Sequence, residues 1–249
     1  MMEEARIRAC FAEMPGPHGM LEAVLCGWHG QLQWNGDGTG VLLSVGDFIL
    51  CGGLPGKDGY ARLEQMVNAQ PRDWLLYAPG AWGDGLPASR CWHRVQRYAF
   101  HPLHPGERHA SCDAPEGICL RTIMEQEAAR CYEADWSRDF VREHGSVERF
   151  LTRGLGVVAV DTAGELVSGA SAYVAWPGGI EVQVQTREDC QGRGLAAATC
   201  AKLIELAHRQ GRVASGDAAN PVSAHLAAKL GFRFYKAYTV WESDTLHSE

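Results

Sequence analysis

Glu181, Gln183 and Gln185 alternate with Ile180, Val182 and Val184 in "GGIEVQVQT", so a strand there carries one apolar and one polar face. Shortly after it, "QGRGLA" places Gln191, Gly192, Arg193, Gly194, Leu195 and Ala196 ahead of an alanine-rich run that reads as a helix. The free amides and positive dipole end of such a helix make an anion site, and glycine lets a phosphate approach the backbone. The same turn by itself also serves as a tight strand-to-helix connection, with glycine for geometry and alanine for close packing. Among the carboxylates, Glu181 on the polar face suits acceptance of a proton, with Asp217 at the end of the next strand second. A solvated Glu181 paired with a Lys or Arg is the competing reading. Asn220 and Ser223 open a later helix. Tyr235 and Tyr238 on the last strand read either as proton donors or as core residues with satisfied hydroxyls.

The elements that must position these residues come in two textures. Up to residue 112, "MEEARIRACFAEM", "HGMLEAVLCGWHG" and "YARLEQMVNAQ" predict helices, while "GVLLSVGDFILCGG" predicts a hairpin turning at Val45-Gly46-Asp47. "DWLLYAPG" and "RVQRYAFH" add strands, giving a small α/β unit. The proline-rich stretch from His101 to Pro115 lacks hydrophobic periodicity and reads as a linker. Beyond it the order is β, αα, β, β, β, α, β, α, β. Its markers are Ser146 as a helix N-cap, a hairpin turning at Asp161 to Gly164, Asn220-Pro221 as a helix start and Gly231 as its stop. The expected domains are therefore 1–112 and 113–249.

Whole-chain quantities narrow the class. A chain of 249 residues suits two domains, each large enough to bury a core. Composition, with 46% hydrophobic and 21% charged residues, is globular, and no apolar run nears the ~20 residues of a membrane span. The acidic, amphipathic start is no secretory signal, and nine cysteines without a CxxC pair suit free thiols in a reducing cytoplasm. A formal charge of −7 argues against a nucleic-acid binder and weakly favours cationic partners. Cys91, His93, His101, His104, His109 and Cys112 cluster in sequence, but their spacing matches no compact zinc set, so no metal is expected. Trp82, Trp92 and Trp176 could stack on a ring or cation, although tryptophans mostly pack cores.

The succession of polar strand, "QGRGLA" turn, long helix, short strand, "AANPVS" and "LAAKLGF" resembles the GNAT superfamily of N-acetyltransferases over roughly residues 117 to 242. The resemblance implies an α/β fold with a mixed, mostly antiparallel sheet flanked by helices, preceded here by the smaller α/β N-terminal domain. It implies acetyl-CoA as co-substrate, its pyrophosphate cradled by Gln191 to Ala196 and a second contact from the helix opened by Asn220 and Ser223. It also implies an oxyanion held by a main-chain amide near Gln185 or Thr186, where the strand splays from its neighbour. Glu181 or Asp217 then accepts the proton of the attacking amine. Glu188 and Asp189 would repel phosphates and are expected to face outward.

One departure matters. Ala227 stands where many members of the superfamily place a tyrosine that protonates the leaving thiolate, so Tyr235 and Tyr238 are the candidate substitutes. A thiolate with a pKa near ~8.5 also departs with little protonation. The expected function is acetyl transfer to the amine of a small cationic molecule. The two-domain pattern is similar to that of aminoglycoside or kasugamycin-type acetyltransferases, which implies antibiotic resistance. A non-catalytic acyl-CoA or amine sensor and a protein acetyltransferase are the alternatives, and a homodimer is kept open.

Overall fold

The computed structural model describes residues 2–16 and 18–244. The amphipathic and alternating stretches become α1 (Met2–Cys10), α2 (His18–Leu25), β1 (Gln31–Trp34), β2 (Gly40–Val45), β3 (Phe48–Gly53), α3 (Gly59–Asn68), β4 (Leu75–Tyr77) and β5 (Cys91–His101). Then follow β6 (Cys119–Thr122), α4 (Glu125–Glu133), α5 (Asp139–Arg142), α6 (Val147–Arg153), β7 (Gly156–Val160), β8 (Leu166–Trp176) and β9 (Gly179–Thr186). The chain ends through α7 (Leu195–Arg209), β10 (Val213–Ser215), β11 (Asp217–Ala218), α8 (Pro221–Leu230) and β12 (Arg233–Asp244). The fold is mixed α/β, with mostly antiparallel sheets flanked by helices. Among the described residues no helix is long and apolar enough to cross a membrane.

Contacts divide the chain into two compact units that do not follow a cut at 112/113. Among the described residues, one unit is 2–15, 30–97 and 237–244, and the other is 16, 18–29 and 98–236. The helix α2 thus counts with the second unit, and β5 and β12 each divide between the two.

In the first unit the strand order is β1-β2-β3-β4-β12-β5, with β1–β2, β2–β3 and β4–β12 antiparallel and β3–β4 parallel. Gly46, at a φ of 56°, makes the expected turn between β2 and β3. Leu42, Ile49 and Cys51 on the sheet close over Leu63 and Val67 of α3, with Trp74 and Trp82 completing the core. Both indoles donate to main-chain carbonyls, Trp74 to Val67 and Trp82 to Gly53, as buried N–H groups must.

The second unit holds the sheet β10-β9-β8-β7-β6, whose β9–β10 pair is parallel and whose other pairs are antiparallel. Ile180, Val182 and Val184 face α7 and pack with Cys200, Leu203 and Ile204. A bulge in β8 between Ala172 and Val174 is held by two histidines. His29 Nε2 accepts from Ala175 N and its Nδ1 donates to Glu143 O, while His144 Nε2 donates to Ala172 O. The buried His144 Nδ1 has no hydrogen-bond partner among the described residues, and burial pushes the imidazole down to about 4.

The stretch His101 to Pro115, expected as a linker, is instead stitched to the second unit. Leu103 is 4% exposed and bridges Ala214, and Ala110 N donates to Leu230 O. Its low periodicity hid one anchoring leucine and a set of main-chain bonds to distant residues.

Candidate active site

The site grows from the way β9 loses its neighbour. Pairing with β10 runs through Val213↔Gly179, Ala214↔Ile180 and Ser215↔Glu181 and then stops, while the chain breaks at Gly216 and β11 turns to pair with Tyr98 and Ala99 at the end of β5. The one strand expected from "RVASGD" is therefore two short ones. Leu155 O accepts from Ala172 N and Val167 O accepts from Arg187 N, so even residues of β8 face β7 and odd ones face β9. Alternation then turns Gln183 and Gln185 toward β8, and Val182, Val184 and Thr186 toward the edge that β10 leaves. Gln185 O accordingly accepts from Ser168 Oγ. Of the two main-chain donors expected from sequence, Thr186 faces the released edge and Gln185 does not.

Gln191 follows β9 through a single 3-10 turn, and Gly192 and Gly194 adopt φ of 75° and 79°. A Cβ built at either glycine meets no atom within 4 Å, so the open space in front of α7 is a property of the backbone, not a gap awaiting a side chain. Gly194 caps α7 without a side chain, which leaves the first-turn amides of this 15-residue helix exposed at their positive end. Opposite stands α8, whose start is fixed by Asn220 accepting from Ser223 N and by Pro221 in its first turn, and whose end is fixed by Gly231 at a φ of 106°.

Between β9, the start of α7 and α8 lies a cleft of about 650 Å³ lined by Gln185, Thr186, Gln191, Gly192, Gly194, Leu195, Ala196, Asn220 and Ser223. Nine of the ten residues expected to bind cofactor are thus brought together. Arg193, the tenth, is exposed and does not line the cleft. Two residues that the sequence reading passed over do line it, His225 and Lys229 on α8. Their i, i+4 spacing beside Val222 and Leu226 was the available signal for one face carrying an imidazole and an ammonium along an apolar ridge.

The acid–base candidates divide. Asp217 lines a smaller chamber of about 60 Å³ that shares Val184, Ser223 and Leu226 with the cleft. Glu181 is only 2% exposed, on the opposite face of β9 from Val182. A Cβ added to Gly19 of α2 would strike the Glu181 carboxylate and the Trp176 ring, so helix and indole cover this side chain. The wet face expected for it is therefore buried, because α2 comes from far away in sequence. Gln183 is tied down as well, donating to Asp139 O and Ser171 Oγ. Tyr235 is 53% exposed beside His101 and lines neither cavity, and Tyr238 is buried against Tyr77 in the first unit. Asp189 is held by Arg187 in an exposed ion pair that lowers its carboxyl, and neither Glu188 nor Asp189 lines the cleft.

The clustered histidines and cysteines serve elsewhere: His93 pairs with Asp244, His101 lies by Tyr235, and His109 lies by His208. Among the described residues no group of three or more His, Cys, Asp or Glu could hold a metal.

A family model described as GNAT acetyltransferase matches residues 10–241, nearly the full chain. The chain belongs to the GNAT acetyltransferase family. Among its relatives is the protein called uncharacterized N-acetyltransferase YdfB of Bacillus subtilis (strain 168), 27% identical over 184 residues, 72% of this chain and 69% of that protein. A crystal structure of a GCN5-related N-acetyltransferase-like protein from Streptococcus suis 89/1591 superposes with a TM-score of 0.82, 28% identity and coverage of 98% and 99% of the two chains. A GCN5-related N-acetyltransferase from Kribbella flavida shares the fold at a TM-score of 0.61, with 16% identity and coverage of 90% and 95%.

This chain is a GNAT N-acetyltransferase, and acetyl-CoA is the donor that the GNAT fold family uses. The cleft fits such a donor by the chemistry of its walls. Left-handed glycines without side-chain neighbours and an uncapped helix start match a pyrophosphate, and Val222, Leu226 and Ala197 offer apolar contact to a thin arm.

Proposed function

We propose that this GNAT acetyltransferase acylates the primary amine of a small, cationic acceptor. The observation that carries the reading is the cleft itself, in which a glycine cradle at the start of α7 and the unpaired edge of β9 converge on a chamber with a carboxylate in its wall. When bound, acetyl-CoA supplies an activated acyl carbon and a thiolate leaving group. The first-turn amides of α7 hold negative charge, Lys229 adds positive potential along the cleft, and His225 offers a ring N–H beside it. The Val184 or Thr186 N–H on the released edge of β9 donates to the developing oxyanion. Asp217 is the proposed acceptor of the amine proton, directly or through water, with Glu181 second because of its burial.

The net charge of −7 supports a cationic acceptor, and aminoglycoside-type antibiotics are the first class to try. Nine free cysteines favour a reducing, cytoplasmic setting, and a homodimer belongs to the same proposal. The test is acceptor mass after incubation with acetyl-CoA across aminoglycosides, polyamines, amino acids and lysine peptides. One added acetyl group on an aminoglycoside or polyamine supports the reading, whereas modification confined to peptides replaces it with a protein acetyltransferase. Ala227 at the position of the expected general acid keeps a second reading, a sensor, which requires that acetyl-CoA bind while no amine of the panel gains mass.

A further inference from the structure

The sheets of the two units repeat one pattern. In the second unit the antiparallel strands β7, β8 and β9 lead through a turn with two left-handed glycines into α7, and β10 returns parallel to β9. In the first unit β1, β2 and β3 are antiparallel, Gly53 and Gly56 turn at φ of 65° and 58°, α3 follows, and β4 returns parallel to β3. Strand–helix–strand crossovers of this kind take one hand in nearly all proteins, which puts both helices on the equivalent face of their sheets. The register repeats as well. The three residues of β10 pair with Gly179, Ile180 and Glu181, the first three of β9, and the three residues of β4 pair with Phe48, Ile49 and Leu50, the first three of β3. Beyond those residues each strand has a released edge.

We propose that the first unit is a second copy of the donor-binding framework, its cleft filled by the chain's own Trp82, so that each chain takes up one molecule of acetyl-CoA. The inference rests on the cleft beside α7 being the coenzyme A site.

Counted from the shared register, Gly53 stands where Val184 stands in β9. Asn35 N donates to Gly40 O, and Gly40 N donates to Asn35 Oδ1, so Gly40 faces β1 and its partner Gly53 faces the edge that β4 leaves. There the Trp82 indole N–H donates to Gly53 O at 3.0 Å. The side chain is 0% exposed, and a Cβ added to Gly59, the first residue of α3, would lie 2.9 Å from the ring. The indole thus spans from released strand edge to helix start, the space that is open cleft in the second unit. It arrives on the 3-10 turn Gly80–Gly85, the next helical segment after β4 as α8 is after β10. Tyr60 of α3 holds that turn, its hydroxyl donating to Ala81 O at 2.6 Å. The turn ahead of α3 is closed to phosphate as well. A Cβ at Gly56 would strike the Asp37 carboxylate, and Asp58 at the N-cap accepts from Gly36 N at 2.8 Å, so two carboxylates stand where an anion would come.

The experiment counts the equivalents of coenzyme A bound by the full chain in titration calorimetry. Wild type is expected to bind one, and Gly194→Glu, with a carboxylate in front of α7, none. Trp82→Ala combined with Asp58→Asn empties the cleft of the first unit and removes one of its charges, which should raise the count to two. In that variant indole alone should bind once and raise Tm, because an apolar cavity takes up a ring of the size removed, and indole thereby keeps the variant folded for the titration. Coenzyme A should displace the indole, and the added equivalent should persist when Gly194→Glu is included. Two equivalents in wild type, or one that survives Gly194→Glu alone, overturn the inference without any change at Trp82. A folded variant that still binds one equivalent also overturns it, as does a second equivalent that leaves the indole in place. Failure of wild type to bind coenzyme A at all overturns the cofactor reading and this inference with it.

Discussion

Gly194 and Gly211 stand just outside the two ends of α7, at φ of 79° and 70°, and an added Cβ at either would meet no atom within 4 Å. Replacing either by alanine therefore has one shared cost, the left-handed backbone of an L-residue, about 1–2 kcal/mol. For a chain of this size that corresponds to a fall in Tm of about 2–8 °C for each variant. The two differ in what lies in front of them, because Gly194 lines the cleft and Gly211 does not. A methyl group at Gly194 occupies the approach of the pyrophosphate and disturbs the first-turn amides that would meet it. Gly194→Ala is thus expected to weaken acetyl-CoA binding tenfold or more, about 1.4 kcal/mol. Gly211→Ala should leave the affinity within twofold. Thermal melting gives the first quantity and titration calorimetry the second, both on the full chain. Equal losses of affinity would refute the placement of the anion at the start of α7, and a melting change in Gly194→Ala alone would refute the shared backbone cost.

Asp217→Asn is expected to lower turnover about 10²-fold near neutral pH and to recover as rising pH supplies neutral amine, with acetyl-CoA affinity little changed. Glu181→Gln should instead show a Tm change with less effect on rate. The opposite pattern in a pH–rate series would give Glu181 the base role. Stability should fall as pH drops from about 6.5 to 4, because the unfolded chain protonates His144 while the folded chain, with this imidazole held down at about 4, does not. The loss approaches about 3 kcal/mol at pH 4 and flattens below it, and burial gives His29 the same direction. Urea titrations of wild type and His144→Gln check this, the variant losing part of the slope. A fragment starting at Asp113 lacks α2 and the buried Phe100 and Leu103 of the second unit, so it should not give a cooperative melt. A sharp unfolding transition from that fragment would contradict the division into units.

What could be read from residues alone was local in its physics. The left-handed glycines of the cradle, the Asn220-Pro221 start, the Gly231 stop and the Ser146 cap, whose hydroxyl accepts from Arg149 N, each depend on neighbours within a few positions. The hairpin at Gly46 belongs with them. What stayed hidden depends on partners far along the chain. The burial of Glu181 is imposed by Gly19 of α2, the break at Gly216 by pairing of Asp217 with Ala99, and the anchoring of residues 101–115 by Leu103 against Ala214. Tyr235 illustrates the reverse case. An amphipathic last strand suggested a core position, yet β12 exposes Arg233 to Lys236 in succession.

The helix α8 buries one side chain of its ten, Leu230, and leaves Val222 81% exposed. Apart from Leu230 its apolar packing comes from the half-buried Ala224, Leu226 and Ala227, far less than the nine buried residues of α7, and its two caps hold only its ends. Segments of this kind open at the low end of the free-energy scale, so the amides of α8 should exchange with deuterium well before those of α7. A ligand in the cleft must then order a wall as well as contact it. Part of the contact energy is spent on that ordering, so a measured dissociation constant understates the strength of the contacts, and the ligand's presence should register as slowed exchange along α8.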